Sequence, residues 1–251
     1  MPQHYNSASR LLAIINAFLA HADGESGMDA WGAILGVEEP DGHVKPFKVA
    51  ERLCALSDEL DRLKKTLDER GTYEADLHFH PIAIARRAFS PGLLQNTIKE
   101  PKAWLAGEVK TQLRYMVPGI PSDESEFDAE DLDELKALIA ALQNLVNQSE
   151  LPERLLQMVR KHIALLLRGL ELYPIHGPYA LRRALTQVTG ELVVNQPAIQ
   201  EFQGSQEVNL MGKICQKAQE MTAIVSAASD YITVATLAYQ AGKVNLSVAH
   251  S

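Results

Sequence analysis

The chain has 251 residues, of which 46% are hydrophobic and 6% aromatic, and a formal net charge of −8. That length can bury a sizeable core in one domain or two, and the acidic balance excludes the basic excess that binding to a phosphate backbone requires. The whole net charge sits in residues 117–135, VPGIPSDESEFDAEDLDEL, which hold 8 acidic and no basic side chains.

Asn6 or Ser7 can cap a first helix, whose apolar residues Leu11, Leu12, Ile14, Ile15, Phe18 and Leu19 keep helical spacing to about His21. ADGESG breaks it, a short helix follows around Met28 to Leu35, and Glu38 to Lys45 with its Pro-Asp-Gly predicts a turn. Pro46 suits the first turn of a long helix with a seam of Val49, Leu53, Leu56, Leu60, Leu63 and Leu67. The opposite face, with Glu51, Arg52, Asp58, Asp61, Arg62, Lys65 and Glu69, is expected to meet water. From Gly71 to Met116 three prolines, Pro81, Pro91 and Pro101, predict short helical pieces, the last of them striped by Trp104, Leu105, Val109 and Leu113. Residues 117–127, with two prolines, a glycine and the start of the acidic run, read as a linker.

Asp128 can cap the next helix, with Phe127 reaching Leu132 as a hydrophobic staple, and an acidic first turn suits the positive end of the helix dipole. Pro152 opens a further helix, apolar at Leu155, Leu156, Val159, Ile163, Leu166, Leu167 and Leu170. Residues 173–178, YPIHGP, read as a tight corner, with Pro178 starting a helix apolar at Leu181, Leu185, Val188 and Leu192. The last long helix, about 206–242, carries small and apolar residues at intervals of three and four: Met211, Ile214, Ala218, Met221, Val225, Ala228, Ile232, Ala235, Tyr239 and Gly242. Such a seam, with Met221, Val225, Ala228, Ile232 and Ala235 at its centre, is either core or a surface for self-association. No stretch alternates convincingly for a strand. The expected fold is an all-α multi-helix bundle with a long C-terminal helix, divided into an N-terminal helical subdomain (1–116), the acidic linker (117–127) and a C-terminal bundle (128–251).

Candidate chemistry is sparse. His78-Phe79-His80, preceded by Glu74 and Asp76, is the one clustered histidine pair, and on a loop its alternate residues could share a metal, giving a metal-dependent enzyme as one alternative. The ordinary alternative is a solvated loop, so neither a metal nor a cofactor is expected. Arg154, Lys161 and Arg168 recur every seven residues along one helix, with Arg182 and Arg183 on the next, and these five form a candidate docking strip for the acidic segment or an acidic partner protein. Phosphate loops, GxSxG elbows, CxxC and HExxH are absent. Cys54 and Cys215 lie far apart, each inside a predicted helix beside core positions, which predicts buried thiols in a reducing compartment. MPQHYNSASR has no secretory pattern, so the expected address is the cytoplasm.

The resulting expectation is a non-enzymatic α-helical protein–protein interaction or regulatory protein, binding another protein or a second copy of itself and no nucleic acid. An immunity, antitoxin-like or defence-accessory role is compatible with that build. The other alternative is a membrane-active helical effector acting through 221–239. Length allows a span there, but Asp230 near its midpoint and five Ser and Thr residues argue against insertion.

Overall fold

The computed structural model describes residues 5–37, 44–71, 75–121, 126–195, 199, 201–202 and 204–223. It is all-α: among the described residues there is no strand, and one isolated antiparallel bridge joins Ser26 to Thr97. The chain divides into two compact units, residues 1–124 together with 174–177, and residues 125–173 together with 178–251.

The first unit is built from α1 (Ser7–Ala20), α2 (Gly27–Ile34), α3 (Pro46–Arg70), α4 (Ala75–Ala88), a 3-10 turn (Pro91–Leu93), α5 (Lys99–Trp104), a π-helical turn (Leu105–Val109) and α6 (Lys110–Gly119). Its ends follow local chemistry. Asn6 accepts from the Ser9 amide while the Ser9 hydroxyl reaches back to the Asn6 amide, a reciprocal cap that satisfies donors the first turn cannot bond internally. Pro46 opens α3, and Gly71 closes it in the left-handed conformation. Leu11, Ile15 and Phe18 of α1 and Val49, Leu53, Leu56, Leu60, Leu63 and Leu67 of α3 are buried. Trp31 stacks on Phe18 at 4.2 Å between ring centroids and meets the edge of Phe89 at 5.6 Å, so α1, α2 and the residue just after α4 meet in one aromatic cluster.

Four expectations for this unit are corrected. Pro81 does not divide helical pieces but lies inside α4, which also carries His78 and His80, so the pair is helical rather than on a loop. Proline forfeits one intrahelical hydrogen bond there, a loss that neighbouring turns carry. Val117, Pro118 and Gly119, assigned to the linker, form the last turn of α6. Arg52 is buried although it was placed on the solvated face, because it lies beside Leu53 at the flank of the seam. Cys54 is exposed, since one residue beyond Leu53 a helix has turned about 100° away from the core.

The second unit holds α7 (Ala129–Val146), α8 (Glu153–His176), α9 (Pro178–Val194) and α10 (Gln206–Ala223), with α10 packed on α7 and α9. Its core gathers Leu135, Ile139 and Leu142 of α7, Val159, Ile163 and Leu166 of α8, Leu181, Leu185 and Val188 of α9, and Met211, Ile214, Ala218 and Met221 of α10. α8 continues through Pro174 to His176, so the expected corner at 173–178 narrows to Gly177, whose φ of 59° favours glycine, before Pro178 starts α9. Asp128 occupies the cap position of α7 without a side-chain capping bond, and Phe127 stacks on Tyr173 at 5.4 Å while its amide donates to the Tyr173 hydroxyl. The helix of the long seam is described from Gln206 to Ala223; Val225, Ala228, Ile232 and Ala235 lie outside the described residues.

Gly27 lets two backbones approach. The Gly27 and Met28 amides donate to the Asn96 and Leu94 carbonyls, and a Cβ on Gly27 would lie 2.8 Å from the Leu93 carbonyl oxygen. Gly27→Ala is therefore expected to destabilise the protein by about 1–3 kcal/mol in urea denaturation. A second expectation separates the thiols. Burial pushes the Cys215 thiol up to about 12, leaving roughly one part in 10⁴ as thiolate at pH 8. Cys54 should react with a disulfide reagent in the native protein, Cys215 only after unfolding, and Cys54→Ser should abolish the native reaction.

Candidate functional site

The most concentrated buried charge is at Glu59, in the middle of α3, whose carboxylate is fully shielded. Its Oε1 accepts from Arg10 Nη2 at 2.6 Å, and its Oε2 accepts from Arg62 Nη1 at 3.0 Å and from His176 Nδ1 at 2.9 Å. Arg10, itself buried on α1, also donates from Nε to the Ile175 carbonyl at 3.1 Å and from Nη2 to the Ser7 hydroxyl at 3.3 Å. Arg62 adds a bond to the His176 carbonyl at 3.3 Å. Burial alone would raise the Glu59 carboxyl, but the His176 hydrogen bond and the Arg10 and Arg62 charges outweigh it and bring it down to about 2. Both carboxylate oxygens are therefore occupied by protein donors. The knot fastens residues 174–177 into the first unit, and it offers neither a free base nor an open approach.

A smaller cluster joins α8 to α9. His162, fully buried, bonds Glu191 Oε2 through Nε2 at 3.2 Å, and Lys161 reaches Glu191 Oε1 at 2.6 Å. Burial lowers the His162 pKa despite the opposing pull of Glu191, and Lys161 holds the Glu191 carboxyl below its usual range. His162 Nδ1 has no partner and no contact with solvent.

Of the five residues of the expected docking strip, Arg154, Lys161, Arg168 and Arg183 are exposed and Arg182 is half-buried. Lys161 is spent on Glu191. The acidic start of α7 is met by Lys217 of α10, which bonds Asp131 at 2.8 Å and also Glu134, contacts that raise its pKa. Nothing in the spacing of the sequence singled out that lysine. Arg182 and Arg183 instead belong to a stripe of α9, Tyr179, Arg182, Arg183, Thr186 and Gln187, which lines an open groove of about 420 Å³. These positions recur at the helical intervals of three and four and contain no carboxylate. The core side of the same helix carries Leu181, Leu185 and Val188. Gly169 of α8 lets the helices close up there, since a Cβ on it would meet the Ala184 Cβ at 3.1 Å. Arg182 is thereby held at the margin of the core, and its Nε and Nη2 are shut off from solvent without a hydrogen-bond partner.

His80 is exposed on α4, and side chains two apart on a helix point about 200° apart. Among the described residues no group of three His, Cys, Asp or Glu side chains could hold a metal ion; the side chains of Glu74, Asp76 and His78 lie outside them. Among the described residues, too, no helix is long and apolar enough to cross a membrane. Most of 221–239 lies beyond them. No known family model, curated protein or solved structure matches this chain.

The Glu59 knot makes a signed pH prediction. A carboxyl at about 2 in the folded protein and 4.5 unfolded adds stability that is complete above pH 4.5 and lost as pH falls toward 2. The difference is worth about 3 kcal/mol. Glu59→Gln is expected to cost about 3 kcal/mol at pH 7, because it strands Arg10 in a buried site. The gap between wild type and variant in urea denaturation should shrink as pH is lowered from 5 to 3.

Proposed function

We propose that this protein is a non-enzymatic, helical interaction protein that docks a protein partner on the α9 stripe of Tyr179, Arg182, Arg183, Thr186 and Gln187. The observation that carries this reading is Arg182, whose Nε and Nη2 are buried without a partner. Leaving a buried donor unmade costs about 1–3 kcal/mol, more for a charged group, so an acceptor from outside the chain that came to reach it would be favoured. The clusters at Glu59 and Glu191 are arranged differently. Glu59, Arg10 and His176 satisfy one another, and Glu191 is shared by Lys161 and His162. The cytoplasm is the compartment proposed for this interaction, in keeping with two free thiols.

The test is affinity capture from the host extract with wild type and with the double variant Arg182→Glu/Arg183→Glu, alongside the solution mass of each. A stoichiometric protein retained by wild type and lost from the variant, at unchanged melting temperature, is the expected result. Capture of the same protein by both would remove the α9 stripe from the interface. A dimer that persists in the variant would move association to the seam of Met211, Ile214, Ala218 and Met221.

A further inference from the structure

Asp23-Gly24 stands in the connection between α1 and α2, where the Glu25 amide donates to the Ala22 carbonyl at 3.1 Å, so the pair fills the two central positions of a turn. Both residues are exposed, and the space around Gly24 is open: an added Cβ would meet nothing within 4 Å. Among the described residues nothing accepts from the Gly24 amide. With no side chain on the glycine, its nitrogen is the least hindered that could follow an aspartate. The Asp23 carboxylate, in contrast, is held. Lys102 of α5 pairs with its Oδ1 at 2.8 Å and donates as well to the His21 carbonyl, and the lysine side chain is 17% exposed against 62% for the aspartate. Glu25 braces the same turn, with one oxygen accepting from the Ala22 amide at 3.0 Å, the other paired with His21 Nδ1 at 2.7 Å, and its carbonyl accepting from the Ile98 amide at 3.0 Å.

We infer that Asp23-Gly24 is a site of spontaneous aspartate isomerisation and that the ion pair with Lys102 restrains the reaction. The Gly24 nitrogen attacks Cγ of Asp23, the new N–C bond closes a five-membered succinimide, and the amide proton leaves with the carboxyl hydroxyl as water. Hydrolysis returns one water to either ring carbonyl, giving aspartate again or isoaspartate, in which the backbone runs through the β-carbon. Nothing is oxidised or reduced, and water is the only co-reactant. The attacked carbon must carry a hydroxyl that can leave, so the protonated acid is the reactive form and the carboxylate the inert one. The Lys102 hydrogen bond and charge, with a smaller part from Lys99, keep the Asp23 carboxyl below its usual range and so deplete the reactive form. Isoaspartate adds a backbone atom to a short connection that is fastened at both ends, by Lys102 on the His21 carbonyl and by the Gly27 amide on the Asn96 carbonyl. The product chain is therefore less stable than the original.

The test ages the full-length wild type and Lys102→Met, which keeps the aliphatic stem and removes the charge, at pH 5, 6 and 7 below the melting temperature of each. Isoaspartate at residue 23 is measured by peptide mapping, with a synthetic peptide of residues 20–27 as the unrestrained reference. The expected result is slower accumulation in the wild type than in the peptide and roughly two- to fivefold faster accumulation in Lys102→Met than in the wild type, the range an exposed ion pair allows. In every sample the rate should fall from pH 5 to pH 7, as the acid form is depleted. A carbon-detected titration of Asp23 Cγ in the wild-type protein, which depends on no variant folding, should give a midpoint below that of the peptide. Absence of isoaspartate at residue 23 after the peptide has fully equilibrated would overturn the site. Equal rates in wild type and Lys102→Met, a wild-type rate equal to that of the peptide, or an Asp23 midpoint no lower than that of the peptide would each overturn the restraint by Lys102.

Discussion

A single buried carboxylate sets the terms for the first unit. Glu59 sits in the apolar seam of α3, where an isolated charge would be prohibitive, and it is tolerable only because two arginines and a histidine meet it from three different stretches of chain. Each donor is anchored in turn: Arg10 by the Ser7 hydroxyl and the Ile175 carbonyl, Arg62 by the His176 carbonyl. An apolar contact of the same size would tolerate sliding. This one fixes the registry of α1, α3 and residues 174–177, because displacing any member leaves a charge without its counterpart.

The second unit is held differently. Its described helices meet through aliphatic layers with a small-residue contact at Gly169 and Ala184, and the buried His162 is bonded by Glu191. Among the described residues of this unit the buried polar atoms without a hydrogen-bond partner are His162 Nδ1 and Arg182 Nε and Nη2.

Much of the architecture is legible in the sequence because its determinants are local. Asn6 with Ser9, Pro46, Gly71 and Pro178 each act within a turn of helix, and the apolar spacing of α3, α7, α8 and α9 requires only that one face be dry. What was not legible depends on partners distant in sequence. Glu59 lies three residues after Leu56 and four before Leu63, so its position on the buried face was recoverable from spacing alone. That Arg10 and His176 would answer it was not. Pro81 and Pro174 misled for the opposite reason: as local signals they argue for breaks, and packing of the flanking turns overrides them. The arginines of α9 were visible as a basic pair, but the burial of Arg182 Nε and Nη2 without a hydrogen bond is a property of the folded chain and has no signature in the sequence.

The bond between Glu59 and His176 spans 117 residues of chain. During synthesis, at roughly 5–20 residues per second, Arg10 and Glu59 leave the ribosome well before Ile175 and His176 exist. For that interval Arg10 lacks the Ile175 carbonyl and Glu59 lacks the His176 ring. Emergence of residue 124 is thus not the completion of this unit. Residues 174–177, which belong to the first unit, are made only after residues 125–173 of the second.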